Sequence, residues 1–172
     1  VIPIARAQEI LLPVTTGMMA VTLIGALLLN LVPWPQSVLP FRPDLCALVL
    51  AYWGMHQPRG MAFSAAFLLG LAMDIADASL FGQHALGYTV LLYAAIAIHR
   101  RALKFSLASQ VLHVLPLLLA ADGIALVVRL VAGAELPGWS FVAGSAIGAV
   151  LWLPLSALLR LPRLPKPDPD RV

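Results

Sequence analysis

Apolar residues gather along this chain into six blocks, near 9–32, 44–57, 60–77, 84–99, 107–132 and 138–160. Runs of this length read as membrane-spanning helices, because about 20 residues rising 1.5 Å each cover the roughly 30 Å of bilayer hydrocarbon. The second block barely reaches that length. Three readings of it stand open: a segment lying flat, a crossing with little tilt, or a helical hairpin with the third block. Proline punctuates it at both edges, Pro43 and Pro58. Pro13, Pro116 and Pro154 fall inside apolar blocks, where a missing amide and a ring clash favour kinks that neighbouring helices satisfy. The pattern predicts an all-α integral membrane protein, about six transmembrane helices in one bundle, forming a single domain over residues 1–172.

Composition agrees: 61% of the 172 residues are hydrophobic and 11% are charged, where a soluble domain would carry roughly twice that charge. Charge also orients the bundle. With six alternating spans, Arg6, Arg59, Arg100, Arg101, Lys104, Arg160, Arg163, Lys166 and Arg171 share one side, opposite Arg42 and near-terminal Arg129. By the positive-inside rule both termini are expected in the cytoplasm, with Arg129 snorkelling outward. The first block reads as an uncleaved span, because Ile10 to Val32 exceeds a signal-peptide core and Pro33-Trp34-Pro35 is a poor cleavage site. Trp34, Trp53, Trp139 and Trp152 fall near block ends, as an interfacial belt requires. Residues 161–172 alternate proline with charge and read as an extended cytoplasmic tail attracted to membrane lipid. Basic residues that flank spans do not form a nucleic-acid stripe. The single cysteine, Cys46, excludes an internal disulfide.

The polar groups inside the blocks are the candidates for chemistry. Asp74 and Asp77 share a helix face near the end of the third block, with Gly70 one turn earlier giving a neighbouring backbone room to approach. A carboxylate at membrane depth costs about 2.5 to 3.5 kcal/mol even on a lenient scale, so it faces a partner, a cavity or water. Partner binding, a proton or ion relay, and a ligand pocket are the functional readings. The plainer one is a helix-end carboxylate bonded to the following loop, which carries Gly82 and His84. In the fifth block, His113, Asp122 and Arg129 are candidate interior polar groups, Asp122 and Arg129 lying seven apart on one face. Gly144 and Gly148 give the sixth block a small-residue packing face. The four histidines have no zinc spacing, and no nucleophile elbow, phosphate loop or His-Glu-x-x-His appears. No metal, cofactor or enzymatic activity is expected.

Pro43-Asp44-Leu45 opening the second block, Tyr52-Trp53 near its end, Gly70-Leu-x-x-Asp74, and Leu80-Phe81-Gly82-Gln83-His84-Ala85-Leu86 resemble the MreD family of bacterial rod shape-determining proteins. Phe81 departs mildly, standing where an aliphatic residue is expected. The resemblance implies a non-enzymatic adaptor in the bacterial cytoplasmic (inner) membrane, a multi-pass component of the elongasome. It implies direct binding of MreC, and membership of a complex with MreB, RodA and an elongation penicillin-binding transpeptidase. Regulated lateral peptidoglycan synthesis, cell wall biogenesis and cell shape are the implied functions. It also implies a bundle similar to the substrate-binding subunits of energy-coupling-factor transporters. A small-molecule-binding transporter subunit is therefore the alternative.

Overall fold

Side chains take up the free amides at three of the helix starts. The computed structural model describes residues 14–35, 37–134 and 140–163. Thr15 accepts from the Met18 amide to open α1 (Thr16–Asn30), and Asp44 accepts from Ala47 to open α2 (Leu45–His56). Ser106 does the same for α5 (Leu107–Val131), each in the usual N-cap manner. The others are α3 (Phe63–Ala76), α4 (Gln83–Ala102) and α6 (Ser140–Arg160). Among the described residues the other regular elements are two 3-10 turns, Leu39–Phe41 between α1 and α2 and Leu161–Arg163 after α6, and there is no strand. Arg6, Pro13, Trp139, residues 9–13 and 138 of the expected spans, and the tail from residue 164, with Lys166 and Arg171, lie outside the described residues.

The helices follow the six apolar blocks in order. α4 outruns its block because His99, Arg100 and Arg101 continue the last turn, where cations meet the negative end of the helix dipole. Pro116 and Pro154 both lie inside helices.

The short second block is the centre of the bundle. Every residue of α2 from Cys46 to Met55 is buried, the condition of a helix that is apolar all round. It packs on α4 and α1, with α5 and α6 closing the remaining sides, while α3 packs chiefly against α4. The hairpin with the third block does not hold, because α3 packs on α4 and not on α2. Protein and not lipid surrounds α2, so its length of about 18 Å need not match the bilayer.

The perimeter is apolar. Val21 and Leu28 on α1, Leu68 on α3, Leu112 and Val127 on α5, and Val150 and Leu158 on α6 are all exposed. A water-soluble surface does not carry apolar faces on so many sides. α5 and the Val142–Arg160 stretch of α6 are each long and apolar enough to cross a bilayer. The chain has the character of a membrane protein.

Close contacts between helices depend on glycine. A Cβ on Gly70 would stand 2.4 Å from Ala85 Cα and 2.6 Å from His84 C, so α3 and α4 touch backbone to backbone. Gly148, buried on α6, meets Leu118 of α5 and Leu48 of α2, and Gly144 one turn earlier is half-buried. Gly123, by contrast, has open space around it. Gly70→Ala should therefore destabilise the bundle by about 1–3 kcal/mol. Gly123→Ala should stabilise it by about 0.5–1 kcal/mol through helix propensity. Thermal unfolding of the two variants in detergent checks the contrast in sign.

Candidate functional site

The ends of α1, α3 and α5 meet the starts of α2 and α4 in a cluster of polar groups at one end of the bundle. Asp44 does more than cap its own helix. Its Oδ1 also accepts from Asn30 Nδ2 at 3.0 Å, and its Oδ2 accepts from the Tyr88 hydroxyl at 2.6 Å. Asn30 returns a bond, its Oδ1 accepting from the Leu45 amide at 3.1 Å. The last turn of α1, the first of α2 and the second of α4 are thereby tied through the half-buried Asp44 to the buried Asn30 and Tyr88.

Asp74 ties the α3–α4 turn. Its carboxylate is fully buried. Oδ2 accepts from the Gly82 amide at 2.8 Å, and Oδ1 from the His84 amide at 2.8 Å, the Ser79 hydroxyl at 3.0 Å and His84 Nδ1 at 2.9 Å. Four donors fill the roughly four acceptor sites of a carboxylate. Because a carboxylate only accepts, His84 carries its hydrogen on Nδ1 and turns Nε2 the other way. Gly82, the residue before α4, has no side chain to cap that helix. Asp74 therefore supplies the cap from the neighbouring helix, where the first-turn amides and the dipole favour negative charge. The close approach at Gly70, one turn earlier, brings the two helix ends within this reach.

The turn itself is a Schellman arrangement, with Ser79 N–H donating to Asp74 O at 2.9 Å and Ala78 N–H to Ile75 O at 3.3 Å. Its left-handed position is taken by Ala78, at φ 47°, where glycine is usual. α5 ends in the same way, Ala134 N–H donating to Arg129 O at 3.0 Å, but there the left-handed residue is Gly133 at φ 85°.

A groove of about 580 Å³ lies between these two turns, lined by Asp77, Ser79, Gln83, His84, Arg129 and residues 132–134 among others. Asp77 is held on its far side by Arg42, whose Nη2 reaches the two carboxylate oxygens at 2.9 and 2.7 Å. His84 Nε2 is 4.0 Å from Asp77 Oδ2, too long for a hydrogen bond.

The residues singled out in the sequence thus divide. Asp74, Asp77, Gly82 and His84 are brought together, with Gly70 beneath them. Asp122, His113 and Arg129 are not. Asp122 accepts from the Ser145 hydroxyl of α6, while His113 Nδ1 bonds back to Ser109 O and its ring stacks on Phe105. Arg129 is exposed, so it is not an interior group. Seven residues along one helix is about 10 Å of rise, beyond direct pairing with Asp122. Asp44, Asn30, Arg42 and Tyr88 were not singled out as site residues. An Asp immediately before an apolar helix is an N-cap signal that points to Asp44, whereas the partners of Arg42 and Tyr88 lie 35 and 44 residues away. Among the described residues no group of three or more His, Cys, Asp or Glu side chains is placed to hold a metal.

Comparison with known proteins places this end of the bundle within a family. A family model described as rod shape-determining protein MreD matches residues 12–161, most of the chain and every site residue named above. The rod shape-determining protein MreD of Haemophilus influenzae is 37% identical over 68 residues, covering 40% of this chain and 42% of that relative. The match spans less than half of the relative's length. No solved structure matches the chain.

Two substitutions test the physics of the turn by unfolding in detergent. Asp74→Leu leaves the Gly82 and His84 amides without their acceptor and should cost about 1–3 kcal/mol for each buried donor left unpaired. Ala78→Gly removes the left-handed strain and should raise stability by about 1 kcal/mol.

Proposed function

The chain belongs to the MreD family of rod shape-determining proteins, and on that premise we propose that it is a non-enzymatic membrane adaptor of the bacterial elongation machinery. Family membership carries the role in rod-shape determination, and the apolar perimeter carries the membrane setting. In the proposed reading the chain binds MreC directly and through it stands in one complex with MreB, RodA and an elongation penicillin-binding transpeptidase. It thereby supports regulated synthesis of lateral peptidoglycan.

We place it as a multi-pass protein of the cytoplasmic (inner) membrane, with both termini in the cytoplasm and the carboxylate cluster facing outward. Arg59, Arg100, Arg101, Lys104, Arg160 and Arg163 support this orientation, since all lie in turns or helix ends opposite Asp44, Asp74 and Asp77. The carboxylate end would then meet a partner that extends outside the cell.

The observation that carries the adaptor reading is the order imposed by Asp74 on the α3–α4 turn. A chain with short loops must be recognised through packing and a few polar contacts. A turn fixed by four hydrogen bonds to one buried carboxylate holds Phe81, 74% exposed, and Leu80, 43% exposed, in a defined position. These residues are available to a partner without a prior ordering step, which is the advantage of preorganisation. The alternative, a small-molecule-binding transporter subunit with a bundle similar to those of energy-coupling-factor transporters, draws its support from the groove beside this turn.

Co-purification with MreC and cell shape test the reading together. Phe81→Ser, on the exposed loop, should leave membrane insertion intact, reduce MreC capture about tenfold as expected for loss of one aromatic anchor, and give rounded cells. Asp74→Leu should insert yet lose both capture and rod shape. Normal capture and shape in Phe81→Ser and Asp74→Leu alike would overturn the assignment of this turn to MreC.

A further inference from the structure

The groove beside the α3–α4 turn has the features of a built ligand site. It lies at an end of the bundle, bounded by the last turn of the spanning helix α5 and by the turn that enters α4, hence at the boundary between hydrocarbon and water. Arg129 lines it, exposed, its guanidinium without a hydrogen bond or ion pair among the described residues. Gln83, only 6% exposed, lines the same groove, and its buried side-chain oxygen has no hydrogen-bond partner among the described residues. A buried amide oxygen left unpaired costs about 1–3 kcal/mol, which a ligand donor would recover.

The groups around the groove sort by sign. Arg129 is a fork of donors suited to a phosphate. Gln83 Oε1 and the Asp77 carboxylate are acceptors, and His84 Nε2 joins them when the ring is neutral, because Asp74 holds the hydrogen on Nδ1. Among the described residues the charges cancel, since Arg42 already answers Asp77 and the Arg129 guanidinium balances the buried Asp74. An anion would meet too many acceptors, and a simple cation would meet Arg129. A ligand that joins a phosphate to a hydrogen-bearing ammonium satisfies both halves.

The flanks point to what carries that ligand. Phe81 and Val131, at 74% and 84% exposed, stand in the turn and on the helix end beside the groove. Apolar residues so exposed at this depth suit acyl chains. We propose that the groove binds a phosphoethanolamine group as the headgroup of a membrane lipid, with the phosphate on Arg129 and the ammonium on Gln83, Asp77 and His84. The site shares Phe81 with the proposed MreC contact, so its test leaves Phe81 unchanged and does not involve that partner.

Native mass spectrometry of the detergent-purified full chain provides the measurement. It is titrated with phosphatidylethanolamine, phosphatidylcholine and phosphatidylglycerol of identical acyl chains, and with free phosphoethanolamine. One phosphatidylethanolamine should bind about tenfold or more tightly than either other lipid, because trimethylation removes the donors and glycerol removes the ammonium. Arg129→Gln and Gln83→Met should each reduce that preference about tenfold, with helix content by circular dichroism unchanged. If Gln83→Met fails to fold, Arg129→Gln at its exposed position decides. Equal binding of the three lipids, or an undiminished preference in Arg129→Gln, overturns the proposal. Free phosphoethanolamine binding as well as the lipid would support the chemistry and assign the soluble group as its source.

Discussion

The close approach of α3 and α4 is the constraint on which the carboxylate end depends. Glycine at position 70 lets the two backbones touch at Ala85, and one turn further along α3 this contact places the Asp74 carboxylate against the first amides of α4. A wider spacing would leave a buried anion facing hydrocarbon and a helix start without a cap, two unfavourable situations that here cancel each other. The polar group that looks most expensive in the sequence is thus stabilising in place. It replaces water with four fixed donors and a favourable helix dipole.

A second linkage works on the same principle around α2. The central helix is enclosed, so its first amides cannot reach solvent freely, and Asp44 and Asn30 serve them from within the bundle. Tyr88 then couples this cap to α4. Since α4 also receives its own cap from Asp74, it is the common member of both polar clusters. Order at this end is therefore cooperative, and disturbing either carboxylate would be felt by the turn that the other one supports.

The apolar pattern made the six helices and their order legible, because hydrocarbon length is a property of local sequence. The spacing of Gly70, Asp74 and Gly82 was legible for the same reason: the groups lie within one helix and the turn that follows it. What surrounds α2 was not legible, since a short apolar segment has the same composition whether lipid or protein encloses it. In the fifth block the shared face of Asp122 and Arg129 was legible, but not the partner each would find on other elements. Asp122 finds Ser145 on α6, and Arg129 belongs to the groove end. The Arg42 to Asp77 pair joins a loop to a helix end far along the chain. Only the folded arrangement reveals such pairs.

Enclosure of α2 also sets which changes the chain can accept over evolutionary time. Residues on the perimeter answer to a fluid that conforms to any apolar shape, so one aliphatic side chain replaces another there with little consequence. Cys46 to Met55 answer instead to fixed neighbours on several helices. Side-chain volume, more than hydropathy, is the selected quantity at those positions. Drift there proceeds through paired exchanges, a larger residue on α2 matched by a smaller one on α1, α4 or α6, and relatives of this chain would diverge most freely on their lipid faces while the centre changes in step.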